Sequence, residues 1–241
     1  MKQILIITKK ELNSYFDSLM AYILIVVFLG FTGFFTWLYG NSDVFFINQA
    51  SLKPFFSIAY WSLFIFIPAL TMKQIAEEIK TGTIELILSK PVNEWQWVSG
   101  KFLATFLLIV ITLALTLPWY ITIANIGPID HGSVWTGYLG LLLMSAAYIS
   151  IGIFTSSITN NQIVAFLLAL VIGIFFQILF GILAHAFSGA VGNVLAFADM
   201  NIHYQNITRG VIDSKDLIYF FTIIILALAA SELSLLKRNL N

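Results

Sequence analysis

The sequence predicts an all-α polytopic membrane protein with six transmembrane helices, because its composition, its apolar runs and its distribution of basic residues agree. Of 241 residues, 59% are hydrophobic and only 10% are charged, whereas a soluble domain carries roughly 25% charged residues. Lipid must therefore cover much of the apolar surface. The net charge is zero, so no basic surplus exists to neutralise phosphates and we expect no nucleic-acid partner. The chain has no Cys, which excludes disulfides and thiol chemistry.

Residues 1–17 predict an amphipathic helix in the membrane interface. Five apolar or aromatic side chains recur at helical spacing, and polar residues take the other side. The apolar set is Ile4, Leu5, Leu12, Tyr15 and Phe16. The alternative is a helix that is merely solvated.

Six later runs are long enough to cross the hydrocarbon core, which takes about 20 mainly apolar residues. The predicted spans are 19–39, 55–72, 102–123, 135–156, 163–184 and 217–236. With no second core evident, residues 1–241 form a single transmembrane domain, and the lipid bilayer is its first partner.

The basic residues set the orientation. If the N-terminus is cytoplasmic, the inner segments carry nine Lys and Arg and the outer segments carry only Lys53, Arg209 and Lys215, as the positive-inside bias requires. Four tryptophans fall near outer ends of spans: Trp37, Trp61, Trp119 and Trp135. Both termini and residues 73–101 are therefore predicted to be cytoplasmic. The three His then lie outside, without ligand-like spacing, so we assign no metal.

Residues 73–101 form a charged segment between two apolar spans, with four of the 12 basic and four of the 12 acidic residues. Its start predicts a short helix with an apolar stripe of Ile75, Ala76 and Ile79 that ends at a turn at Gly82. A second short helix is predicted over 84–89, because Thr83 can cap its start and Pro91 stops it. The alternative is an ordinary solvated loop.

The same segment resembles the cytoplasmic signature of the ABC type-2 (export-type) permease family, whose usual form is E-x-x-x-G-T-x-E-x-L-L-x-x-P. Within that family the chain looks most like the permease subunits associated with gliding motility. The interfacial helix, the six spans and the long segment before the last span agree with the resemblance. The matching residues are Glu77, Glu78, Gly82, Thr83, Ile84, Glu85, Leu86, Leu88 and Pro91.

The resemblance implies that these residues form a coupling helix that docks on a separate ATP-binding subunit. It further implies a permease subunit of an ATP-driven exporter in a bacterial inner membrane, paired with a second permease half, either an identical copy or a related chain. The sequence has no phosphate-binding loop: its single Gly-Lys pair is Gly100-Lys101, with Trp95 and Phe102 at the required Gly and Ser/Thr positions. We therefore expect ATP and Mg²⁺ to bind the partner, and no catalysis here.

Polar and small residues within the apolar regions allow further expectations. Gly173, Gln177 and Gly181 recur every four residues, which predicts one face for close helix packing or for a dimer contact. The acid Glu232 lies near the inner end of the last span, where it can snorkel or pair with a following basic residue. The outer segment 185–217 opens apolar and Gly-rich, which predicts a re-entrant segment.

Two other classes of function remain as alternatives. A secondary transporter or channel normally carries ionisable residues within its spans, and here only Glu232 qualifies. An intramembrane enzyme needs a catalytic constellation, and the sequence shows neither H-E-x-x-H nor an acid pair within the spans.

Overall fold

The computed structural model describes residues 2–38, 50–84 and 92–239, and in these ranges the regular structure is helical. The α-helices are α1 Lys2–Asp17, α2 Met20–Trp37, α3 Lys53–Thr71, α4 Ala76–Lys80, α5 Glu94–Ala114, α6 Leu117–Ile126, α7 His131–Ser157, α8 Gln162–Ile174, α9 Phe180–Ala186, α10 Ala190–Ala198, α11 Met200–Thr208 and α12 Ser214–Asn239. A π-helical turn, Phe175–Leu179, joins α8 to α9.

The predicted six-span architecture is confirmed. Within the described residues, six helical stretches are long and apolar enough to cross a membrane: Met20–Trp37, Lys53–Lys80, Glu94–Ile126, His131–Ser157, Gln162–Ala186 and Ser214–Arg238. Their apolar outward surfaces fit the lipid-covered exterior that the composition predicts.

Two span boundaries differ from the prediction. The second stretch runs beyond residue 72 because α4 follows α3 after a short turn. The third begins at Glu94 rather than 102 and is interrupted between α5 and α6. Pro118, in the first turn of α6, has no backbone N–H to donate into the preceding turn. The hydroxyl of Thr116 fixes this break by donating to the carbonyl of Leu113 over 2.6 Å.

Helix α7 is the centre of the bundle. In its most apolar 18-residue segment, 83% of the residues are buried, against 22% in the corresponding segment of the stretch that contains α8 and α9. Small residues allow this central position. A Cβ at Gly137 would lie 2.6 Å from Phe56, and one at Gly152 would overlap Thr71. Both contacts bring α3 directly onto α7.

The N-terminal helix α1 packs along α5, so it is not a freely solvated helix. A Cβ at Gly100 on α5 would lie 2.6 Å from the Ile7 side chain, and the hydroxyl of Thr8 donates to the Gly100 carbonyl over 3.2 Å. The protein-facing side of α1 therefore includes Thr8 and Tyr15. Leu5 is 65% exposed, which leaves an apolar surface for the predicted membrane interface.

The segment before the last span begins with α10, which forms a helical hairpin with α9 at the end of the fifth span, and continues with α11. Gly189, at φ +78°, makes the turn, a backbone conformation that favours glycine. Three apolar side chains of α10 are more than half exposed: Val191, Val194 and Phe197. This composition suits a lipid surface, and re-entry of the segment into the membrane stays a prediction.

Candidate coupling site

The predicted apolar stripe of α4 faces the bundle, and the helix is short because the chain turns immediately after it. Ile75 and Ala76 are fully buried and Ile79 nearly so, whereas Glu77 and Lys80 are exposed. Gly82 follows at φ +71° with open space around it. The predicted turn at Gly82 therefore uses a conformation that L side chains rarely adopt.

The hydroxyl of Ser156 on α7 fixes the junction between α3 and α4. It donates to the carbonyl of Met72 over 3.0 Å and accepts from the backbone N–H groups of Ile75 at 3.1 Å and Ala76 at 3.0 Å. One hydroxyl thus uses its donor and both acceptor positions. Backbone groups that the turn leaves without helical partners are satisfied by the central helix.

Lys101 on α5 provides the main electrostatic anchor of α4. Its Nζ lies 2.9 Å from Glu78 Oε1 and 3.3 Å from Glu11 Oε2, and the Lys101 side chain is only 1% exposed. The same nitrogen lies 4.9 Å from the Trp97 ring centroid, within the range of a cation–π contact. A single buried cation therefore joins α4, α5 and α1.

A second polar cluster joins the same three regions one helical turn further along α5. The Gln74 side-chain amide donates to the Tyr15 hydroxyl over 2.7 Å and to the hydroxyl of Thr105. Thr105 in turn donates to the Lys101 carbonyl over 3.1 Å, so the Tyr15 hydroxyl donates to Thr105 across 3.1 Å. Burial raises the pKa of Tyr15 from its ordinary value of about 10 to about 12.

The predicted docking residues fall into two groups. Glu77, Gly82 and Thr83 lie exposed on the surface, whereas Glu78 is bound to Lys101 and Ile84 is only 4% exposed within this chain's own core. Ile84, predicted to contact an ATPase, is an internal anchor of the loop instead. The remaining predicted residues, Glu85, Leu86, Leu88 and Pro91, lie outside the described residues, as does most of the predicted helix 84–89.

The chain returns to the bundle through a well-capped helix start. The Asn93 side chain accepts from the backbone of Trp95, and the Gln96 side chain accepts from the Asn93 N–H, which forms a capping box. Trp97 is 3% exposed. Both ends of the loop are therefore held, one by Lys101 and Ser156 and the other by the start of α5.

The Gly173/Gln177/Gly181 face packs within the chain. A Cβ at Gly173 would lie 2.6 Å from Phe64, and one at Gly181 would lie 2.5 Å from the Asp199 carboxylate. The Tyr148 hydroxyl donates to Gln177, which is 3% exposed. Of the two predicted roles, these contacts support helix packing within the chain, and a dimer contact at this face stays a prediction.

A buried histidine–carboxylate pair was not predicted from the sequence. His203 Nδ1 on α11 lies 2.6 Å from Asp216 Oδ1 on α12, and His203 Nε2 lies 2.9 Å from the Phe197 carbonyl. Both ring nitrogens face acceptors, and the ring stacks on Tyr219 at 4.0 Å. No group of His, Cys, Asp and Glu suited to a metal occurs in the described part of the chain.

Glu232, the acid predicted to snorkel or to pair with a following basic residue, is half-buried.

The remaining unpredicted contacts have no local sequence signal. Lys101 and Glu11 are ninety positions apart and Ser156 lies in an apolar span, so only the packed bundle brings them to α4. The one available hint was Lys101 itself, a basic residue directly before a predicted span, which demands a partner if it is buried.

Comparison with known proteins identifies the family. A family profile described as "ABC-2 family transporter protein" matches residues 39–231. No individual curated protein matches the chain. The match covers most of the sequence, including the anchored loop, the central helix α7 and the hairpin before the last span. The chain therefore belongs to the ABC-2 family of transporter proteins.

Proposed function

We propose that this chain is the permease subunit of an ATP-driven exporter, with a separate ATP-binding subunit docked on the loop that begins with α4. The observation that carries the proposal is the way in which other helices hold α4. Its Glu78 is bound to the buried Lys101, while its Glu77 is exposed. A contact made on the exposed side would therefore move α1, α5 and α7 together with the loop.

ATP and Mg²⁺ belong to the partner in this proposal, because the sequence has no phosphate-binding loop. The second permease half is an identical or related chain, and the membrane is a bacterial inner membrane with both termini in the cytoplasm. The link to gliding motility rests on resemblance alone. Deletion of the coding sequence in its native bacterium should abolish spreading on agar if that link holds.

Co-purification tests the ATPase contact. The full chain, extracted in a neutral detergent from its native host, should bring a nucleotide-hydrolysing subunit with it. Gly82→Pro should abolish this association, because proline cannot adopt the positive φ at residue 82. Glu77→Arg should weaken it by up to about fivefold, the scale of an exposed charge pair.

Asp17→Arg is the matched control, since Asp17 is an exposed acid on α1 at a distance in sequence from the loop. Each variant must first show the elution profile and thermal midpoint of the wild type. If Gly82→Pro and Glu77→Arg both retain the ATPase at the level of Asp17→Arg, the loop is only a connector.

A proton-driven secondary transporter is the second candidate, because the structure adds a titratable pair near the last span. Asp216, 3% exposed, lies in the first turn of α12 and contacts His203. In proteoliposomes, uptake or release driven by a pH gradient without ATP, and lost in Asp216→Asn, would favour this candidate. Transport that needs the ATPase and survives Asp216→Asn would favour the exporter.

A further inference from the structure

A pocket of about 680 Å³ opens between the N-terminal half of α3, the connection from α6 to α7, and α11. It lies at the end of α3 opposite α4, which we call the Lys53 end of the bundle. Its volume is in the range of small-molecule sites, roughly 300–1,000 Å³. It is separate from the coupling loop, and it shares no residue with the anchors of α4.

The mouth of this pocket carries a surplus of positive charge. Lys53 and Arg209 both line it, and neither forms an ion pair with a described residue. Asp130 also lies in the wall, but its Oδ1 already accepts from the N–H groups of Gly132 at 3.0 Å and Ser133 at 3.3 Å. Two of the three basic residues predicted to lie outside therefore converge on one cavity.

The deeper wall is aromatic. The α3 face in the pocket continues from Lys53 through Phe56 and Tyr60 to Trp61, about 12 Å along the helix at 1.5 Å per residue. Trp61 is 46% exposed. Along α3 the lining therefore changes from cationic at Lys53 to aromatic at Phe56, Tyr60 and Trp61, parallel to the direction in which a membrane changes from headgroup to acyl chain.

The ring of Tyr60, and not its hydroxyl, contributes to the wall of the pocket. Tyr60 is 3% exposed and its ring stacks on Tyr204 at 4.4 Å. The Tyr60 hydroxyl oxygen is shielded from solvent, so a ligand in the open pocket does not reach it. Tyr204 is already satisfied, because it donates to the Phe56 carbonyl over 3.2 Å.

We propose that this pocket binds an anionic, phosphate-bearing amphiphile. The phosphate lies between Lys53 and Arg209, where charge-assisted hydrogen bonds are strongest, and the apolar body lies along Phe56 and Trp61. The lining carries two basic residues against the one acid Asp130, and this net positive charge disfavours a cationic ligand.

Binding to the purified full chain in a neutral detergent tests the proposal, independently of any ATPase. The probes are dihexanoyl phosphatidylglycerol, dihexanoyl phosphatidylcholine and glycerol 1-phosphate, measured by isothermal titration calorimetry. The anionic lipid should bind about tenfold more tightly than the zwitterionic lipid, and more weakly as salt rises. If glycerol 1-phosphate binds with the same affinity as the anionic lipid, the site binds a free phosphate ester, and the proposal of an amphiphile is overturned.

Variants locate the site. The double variant Lys53→Gln/Arg209→Gln should lose about tenfold in affinity for the anionic lipid. Tyr60→Phe should keep the wild-type affinity, because the Tyr60 hydroxyl does not face the open pocket. Lys215→Gln is the matched control, because Lys215 is an exposed basic residue that does not line the pocket. Equal affinity in the double variant and in Lys215→Gln, with unchanged thermal midpoints, would overturn the proposal.

Discussion

Lys101 Nζ lies 2.9 Å from Glu78 Oε1, and this contact joins two helices on either side of the loop proposed to receive an ATPase. The Lys101 side chain is almost completely removed from solvent, while that of Glu78 is 19% exposed. The charge of Lys101 on the membrane-spanning helix α5 is therefore neutralised by α4, which also carries the exposed acid Glu77. Movement of α4 away from α5 would break this ion pair and leave the buried Lys101 with Glu11 as its remaining carboxylate partner among the described residues.

Lys101→Met should strongly destabilise the protein. Methionine keeps much of the side-chain volume but leaves the Glu78 and Glu11 carboxylates without their cation. Removing one partner of a buried pair costs about 3–5 kcal/mol, which lowers a thermal midpoint by on the order of 10 °C in a chain of this size. Circular dichroism in detergent measures the midpoint.

Two comparisons separate charge from packing in that variant. Lys2→Met removes an exposed Lys on α1 and should leave the midpoint unchanged. Adding Glu78→Gln to Lys101→Met should recover part of the loss, because one unpaired carboxylate is then gone. A midpoint for Lys101→Met equal to that of Lys2→Met would show that the ion pair contributes nothing.

Ser156→Ala should loosen the junction between α3 and α4. The variant leaves the N–H groups of Ile75 and Ala76 without an acceptor, at about 1–3 kcal/mol for an unsatisfied buried group. Amide hydrogen exchange of the peptide that spans this junction should accelerate, since local opening no longer breaks these bonds.

Ser157→Ala is the control for that experiment, because among the described residues the Ser157 hydroxyl bonds only within its own helix, to the Phe154 carbonyl. Its exchange at the junction should match the wild type. If both alanine variants exchange at the same rate, the junction is held by packing and the Ser156 hydroxyl has no special role.

The sequence predicted the parts of this fold that depend on local pattern. Six apolar runs gave six spans, and the stripe of Ile75, Ala76 and Ile79 faces the bundle as their spacing indicated. The residues that anchor the loop could not be predicted from local pattern, because Lys101 and Ser156 reach α4 only through tertiary packing. Ile84 shows the same limit, since its apolar character fitted an external contact and an internal one equally well.

Gly173→Ala should destabilise the single chain rather than an assembly. The added Cβ would lie 2.6 Å from Phe64 and 3.0 Å from Tyr148, and overpacking typically costs about 1–3 kcal/mol. Gly30→Ala is the matched control, because a Cβ at Gly30 meets nothing within 4 Å. There the better helix propensity of alanine should stabilise by up to about 1 kcal/mol.

Thermal midpoints of the two glycine variants should therefore move in opposite directions. Subunit crosslinking should follow stability and not the position of the substitution. If Gly173→Ala loses crosslinking while its thermal midpoint is unchanged, this face is a dimer contact and the prediction is wrong.

The two ends of the bundle are defined by contacts at the C-terminal end of α7. Ser156 contacts Met72, just before α4, and the Ser234 hydroxyl on α12 donates to the carbonyl of Ser157 over 3.3 Å. The C-terminal end of α12 therefore lies beside the α4 end. The N-terminal end of α12 begins about 30 Å away, since 20 helical residues rise 1.5 Å each, which is close to the thickness of the hydrocarbon core.

Cysteines introduced at Lys80 and Lys215 should therefore be labelled from opposite sides of the membrane. Both side chains are exposed, both are basic, and the chain has no other Cys to react. The excess of basic residues at the α4 end predicts that this end is cytoplasmic. In spheroplasts, a membrane-impermeant maleimide should label Lys215→Cys at once and Lys80→Cys only after permeabilisation. The reverse pattern would invert the orientation and place the proposed ATPase contact on the wrong side, while labelling of both variants without permeabilisation would contradict the span count.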